Sequence, residues 1–142
     1  FGEWGRPDMM LFKLMHSYKK NKTFYLNDGG RHLRDFTYIK DVVIILSKLI
    51  NKKLKKNFEI YNVCSNRPIK VINIVKEMQD NLSGLKIKNV NPKILKKIEV
   101  NKTHGANKKI INLIKSQKFT KFNVALKNTI NWYMKNKIYK IT

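Results

Sequence analysis

Within its first 53 residues the chain changes hydrophobic period twice, and this alternation narrows the folds open to it more than any other feature. Leu11, Phe12, Met15 and Tyr18 recur at spacings of three and four, the period of a helix buried along one face. Asp8 stands where a carboxylate can cap such a helix, so the pattern predicts a helix from Asp8 to about Lys20. Thr23 to Asn27 and Arg31 to Thr37 then read as strands about a tight turn at Asp28-Gly29-Gly30, which predicts a hairpin. From Tyr38 to about Lys53 the helical period returns with Val42, Val43, Ile45, Leu46, Leu49 and Ile50. That density of apolar residues marks it as the best-buried helix of the chain.

The remainder continues in the same manner. Glu59 to Val63 is a short β run, Ser65-Asn66-Arg67-Pro68 are turn formers, and Ile69 to Val71 is extended again. Ile72 to Leu82 predicts a third helix that stops at Ser83-Gly84. Pro92 breaks the stretch from Lys86 to Lys102, where Ile87, Val90, Ile94, Ile98 and Val100 suit short extended pieces. Two helices close the chain, Asn107 to Gln117 and Asn123 to Lys135, the second carrying Trp132-Tyr133 as core packing. Neither an internal repeat nor a linker divides the chain, so residues 1–142 read as a single segment of α/β class.

A formal charge of +22 invites a nucleic-acid partner, because basic surfaces gain affinity by displacing counterions from phosphates. The residue types argue otherwise. Of the 31 basic residues 27 are Lys and 4 are Arg, and Lys, Asn and Ile together fill 61 of 142 positions. Those three share A- and T-rich codons, so compositional drift yields the excess without selecting a binding face. Pairs such as Lys52-Lys53, Lys55-Lys56, Lys96-Lys97 and Lys108-Lys109 are scattered, with no arm of interleaved aromatics. Nucleic acid and membrane are therefore not expected partners. Val42 to Ile50 is closed by Asn51-Lys52-Lys53, well short of a membrane span.

Few residues suit covalent or metal chemistry. His16, His32 and His104 have no regular ligand spacing, and Cys64 has neither a second Cys nor a helix start beside it, so no metal and no catalytic residue is assigned. A lone Cys is compatible with a reducing compartment, and the expected location is the cytoplasm. No Gly-x-x-Gly-x-x-Gly turn is present to bring a backbone against a dinucleotide pyrophosphate.

Two motifs carry a resemblance. Phe1-Gly2-Glu3-Trp4-Gly5-Arg6-Pro7-Asp8-Met9 is followed by Arg34-Asp35-Phe36-Thr37-Tyr38-Ile39. These resemble the Tyr-Gly-Pro-Trp-Gly-Arg-Pro-Asp-Met loop and the Arg-Asp-Phe-Thr-Tyr-Ile-Asp-Asp junction of extended short-chain dehydrogenase/reductase enzymes acting on nucleotide sugars, most closely UDP-glucuronate 4-epimerases. Departures include Glu3 for Pro, Lys40 for the first Asp, Cys64 for Gly and Ala125 for Gly. The resemblance implies that the chain is the C-terminal, UDP-sugar-binding part of an NAD-dependent epimerase, a fragment lacking the N-terminal Rossmann half. It further implies that NAD is bound by that missing half, that the parent is a homodimer, and that this stretch lacks the proton-transfer pair. Tyr18 and Lys22 have the pair's spacing, at the wrong place in the family order.

By that resemblance Arg34 contacts the UDP diphosphate, as a planar guanidinium suits phosphate oxygens. Tyr25 and Leu26 line the uracil slot, and Arg6 meets a carboxylate or phosphate of the substrate. Glu99 stands for the acid that accepts from ribose hydroxyls. The plainer alternatives are a surface pairing of Arg34 with Asp35 or Asp41, a loop-bracing role for Arg6, and an ordinary solvated acid at Glu99. At the level of function the alternatives are a sister dehydratase or decarboxylase, and a non-catalytic basic module binding nucleic acid or an acidic polymer.

Overall fold

The computed structural model describes residues 1–54, 56–91 and 100–136. Its elements in chain order are α1 (Met10–Lys19), β1 (Phe24–Asn27), β2 (Leu33–Asp35), α2 (Ile39–Ile50), β3 (Pro68–Lys70), α3 (Val71–Asn81), β4 (Ile87–Val90), α4 (Lys108–Ile114) and α5 (Phe122–Lys135). No described helix is long and apolar enough to cross a membrane.

Three helices enclose the main core because each carries one apolar stripe. α1 buries Leu11, Phe12, Leu14 and Met15, α3 buries Val71, Ile74, Val75 and Met78, and α5 buries Ala125, Leu126, Ile130 and Tyr133. Leu26 of β1 and Leu82 and Leu85 after α3 complete the cluster. Tyr133 packs edge-on to Phe12, while Trp132 lies half-buried against the same core. A smaller cluster joins Ile45 of α2 to Ile110 and Ile114 of α4, with Tyr61 and Val63 packed on it.

The expected hairpin is not formed. β1 pairs in parallel with β4, Phe24 opposite Ile87, and β2 pairs antiparallel with β3, Leu33 opposite Lys70. The cause lies in the connection, a 3-10 turn in which Asp28, Gly29 and Gly30 have φ of 49°, 57° and 70°. Three successive left-handed residues turn the chain out of the plane of β1 instead of folding it back alongside. Gly30 then packs on the backbone of α3, where a Cβ would lie 2.8 Å from the Ile72 nitrogen. On the other side of β2 the segment at 101–103 is tethered by Leu33 N donating to Asn101 O and Thr103 N donating to Leu33 O, an isolated parallel bridge.

Other expectations need correction. Asp8 does not cap α1: the capping position is Met9, without a side-chain bond, and the Asp8 carboxylate accepts from Arg6 instead. α2 is not the best-buried helix, since only Asp41 and Ile45 are buried along it and Ile50 is 82% exposed. It carries apolar residues around most of its girth, while its described packing covers one stripe. Glu59 to Val63 belongs to no described strand. Its alternation survives in burial, Phe58 and Ile60 outward, Tyr61 and Val63 against the smaller cluster.

Candidate functional site

One cleft of about 660 Å³ gathers most of the residues singled out in the sequence. β1 supplies its floor with Phe24 to Asn27, the β2 stretch supplies His32 and Arg34, and the 1–9 loop with the start of α1 supplies Arg6 and Asp8. Leu26 is buried in the floor, whereas Tyr25 is 58% exposed at the rim. Glu99 lies outside the described residues. Tyr18 and Lys22 do not border the cleft, and Tyr18 packs against the main core instead.

Arg34 is half-buried, and its Nη1 donates to the Leu33 carbonyl at 2.9 Å. The two acids proposed as surface partners for it have further partners of their own. Asp35 accepts from the Ser65 hydroxyl and from the amides of Asn66, Arg67 and Gly105. Asp41, 3% exposed, accepts from the Thr120 amide and hydroxyl at 3.0 and 2.8 Å. Burial alone pushes the Asp35 carboxyl up, but the Ser65 hydroxyl and the amides of Gly105, Arg67 and Asn66 outweigh it and hold it below the usual range.

Arg6 and Asp8 form a two-point ion pair, Nη2 to Oδ2 at 2.6 Å and Nε to Oδ1 at 3.1 Å, with both side chains exposed. This pair lies within the 1–9 loop, and Arg6 also lines the cleft. The guanidinium is held more basic and the carboxyl more acidic by their mutual hydrogen bond. A cleft with an apolar floor and two guanidiniums from separate elements suits a ligand with one flat apolar end and one anionic portion.

Sequence reading missed the part played by Asp35 and by Thr103, which donates no motif yet borders the cleft and accepts from the Asp35 amide at 3.2 Å. A carboxylate placed directly after Arg34 in a turn-bounded strand was the available signal. Cys64 lies under Gly105, and burial together with the Asp35 charge pushes its thiol up, away from a reactive thiolate. No group of acids, histidines and cysteines among the described residues is arranged to hold a metal.

The model of the NAD dependent epimerase/dehydratase family matches residues 1–64. Among curated relatives, the chain is 31% identical over 152 residues to UDP-glucuronate 4-epimerase 5 of Arabidopsis thaliana, covering 94% of this chain and 34% of that protein. In fold it follows dTDP-glucose 4,6-dehydratase of Bacillus anthracis in complex with NAD, at a TM-score of 0.80 and 19% identity over 96% of this chain and 42% of that one. It also follows UDP-glucuronic acid 4-epimerase of Bacillus cereus in complex with UDP-glucuronic acid and NAD, at a TM-score of 0.78 and 20% identity over 95% of this chain and 42% of that one. The chain spans less than half the length of the curated relatives it matches.

Two expectations are overturned by these matches. The NAD-dependent family's own model runs from Phe1 through β1, β2 and α2 to Cys64, and NAD-containing structures are followed over nearly the whole chain. The expected fold class, a substrate-binding part standing outside the NAD-dependent unit, is therefore not upheld, and NAD is not assigned to a missing half. The described residues do not, however, form a glycine-rich pyrophosphate cradle between a strand and a helix. Gly29 and Gly30 join two strands, and Gly84 follows α3.

Proposed function

We propose that the protein is a member of this NAD-dependent epimerase/dehydratase family, that it acts on a UDP-sugar, and that the sugar is glucuronate. The observation that carries this reading is the cleft in which Arg34 and Arg6 stand above the apolar floor of β1. Arg34 would hold the diphosphate, and Leu26 and Tyr25 the uracil, while Arg6 would face the carboxylate of the sugar. β1 has one described strand partner, β4, so main-chain groups on its cleft side suit the imide edge of a pyrimidine. The similarity to UDP-glucuronate 4-epimerases supports the choice of sugar. Glu99 as the ribose acceptor remains part of the proposal, as does assembly into a homodimer.

Calorimetry with UDP, UMP, dTDP and GDP tests the reading. UDP is expected to bind more tightly than UMP, through the second phosphate, and more tightly than the other diphosphates, through the base. Binding that ignores the base and falls steeply with salt would instead describe a phosphate-tracking basic surface. Because no tyrosine–lysine pair of the proton-transfer spacing borders the cleft among the described residues, these 142 residues by themselves are expected to bind UDP-glucuronate without turning it over. Product analysis on the whole enzyme separates a 4-epimerase from a dehydratase or decarboxylase of the same fold.

A further inference from the structure

Glu3 and Lys40 are two of the positions at which the sequence departs from the resembled pattern, and they meet in space. Lys40 Nζ lies 2.9 Å from Glu3 Oε1, and the Tyr38 hydroxyl donates to the same oxygen at 3.3 Å. Glu3 is the inner partner, its side chain 18% exposed against 61% for Lys40. The same junction is closed by Ile39 N donating to the Phe1 carbonyl at 2.7 Å. Gly2 fits so tightly there that a Cβ would collide with Ile39 and Tyr38. Oε2 of Glu3 is buried without a hydrogen-bond partner among the described residues, so removing Lys40 would strand a carboxylate that already lacks one contact.

We propose that Glu3 and Lys40 form an ionic latch that holds the 1–9 loop against the start of α2 and so sets where Arg6 stands over the cleft. Both are positioning residues: neither borders the cleft, while Phe1, Gly5, Arg6 and Asp8 of the same loop do. A proline at the third position would stiffen the loop through its ring. Here an ion pair with a tyrosine donor does so through space, which makes the loop's position dependent on charge.

The position of Trp4 reports the latch without any ligand, because Trp4 lies on the loop with its ring 5.4 Å from that of Trp132. In a Trp132→Phe background, Glu3→Gln and Lys40→Met should each raise acrylamide quenching of Trp4, and Lys40→Arg should not. The swapped pair, Glu3→Lys with Lys40→Glu, should return quenching toward the parent value. The second arm rests on the function proposed above: UDP-glucuronate affinity should fall about two- to fivefold in each single variant and recover in the swap, the scale of a partly exposed ion pair. Unchanged quenching in both singles, or a swap no better than the singles combined, would overturn the latch. Changed quenching with unchanged affinity in a protein that binds UDP-glucuronate would overturn the positioning of Arg6. Should the parent bind no UDP-glucuronate, the function reading fails while quenching still decides the latch.

Discussion

Asp35 and Gly105 stand 70 residues apart and are joined by a 3.0 Å hydrogen bond from the Gly105 amide to Oδ2 of the carboxylate. With Ser65, Asn66 and Arg67 on the same side chain, one acid at the end of β2 ties the 64–67 loop and the 103–105 loop to the strand that carries Arg34. Asp35→Asn presents an NH2 to these donors. It should lower stability by about 1.5 to 3 kcal/mol at pH 7, the scale of hydrogen bonds to a charged group. The folded carboxyl is held below its ordinary value, so its contribution is full above about pH 4 and is lost as pH falls through the folded value. Urea titrations of parent and variant should therefore converge in acid; a constant gap down to pH 2 would contradict this.

Arg34→Ala should weaken UDP binding by about 1.5 to 3 kcal/mol, and Arg34→Lys should recover only part, because an ammonium keeps the charge without the planar fork. Calorimetry showing equal UDP affinity for parent and Arg34→Ala would remove the diphosphate role.

The two glycines of the β1–β2 turn separate backbone strain from steric fit. At Gly29 a Cβ meets nothing within 4 Å, so Gly29→Ala should cost only the left-handed backbone penalty of about 1 to 2 kcal/mol. Gly30→Ala adds a collision with the Ile72 nitrogen and should lower the thermal midpoint further. Equal losses at the two positions would mean that α3 moves aside freely.

Asp41 links the first turn of α2 to Thr120 across 79 residues. Asp41→Ala leaves the half-buried Thr120 donors without their acceptor and should cost about 1 to 3 kcal/mol in denaturant unfolding.

α2 offers a contrast within one helix. Ile45→Ala should cost about 2 to 5 kcal/mol, as for a fully buried aliphatic, whereas Ile50→Ser should shift stability by no more than about 0.5 kcal/mol. Ile50→Ser should also reduce binding of a hydrophobic dye, since Val43, Leu46 and Ile50 are exposed together with Phe58 and Ile60.

The helices were legible because their signal is local. The spacing of Leu11, Phe12 and Met15, or of Ile74, Val75 and Met78, repeats at the period at which side chains share one face, and those residues are the core. The loop and junction motifs likewise directed attention to Arg6 and Arg34, which do border one cleft. Strand partners were not legible. A four-residue strand such as Phe24 to Asn27 carries too few side chains to specify its neighbour, and the choice of β4 over β2 follows from three left-handed residues acting together. The burial of α2 was misread for a related reason: apolar content states what a helix can bury, whereas what it meets is set by the elements around it. Local period thus determined the helices, and the resemblance of two motifs pointed to the candidate cations. Only the tertiary structure decided that Asp35 serves two distant loops, that Arg6 leans on Asp8, and that Glu3 finds Lys40, because each depends on chain segments brought together by packing over distances that no local pattern records.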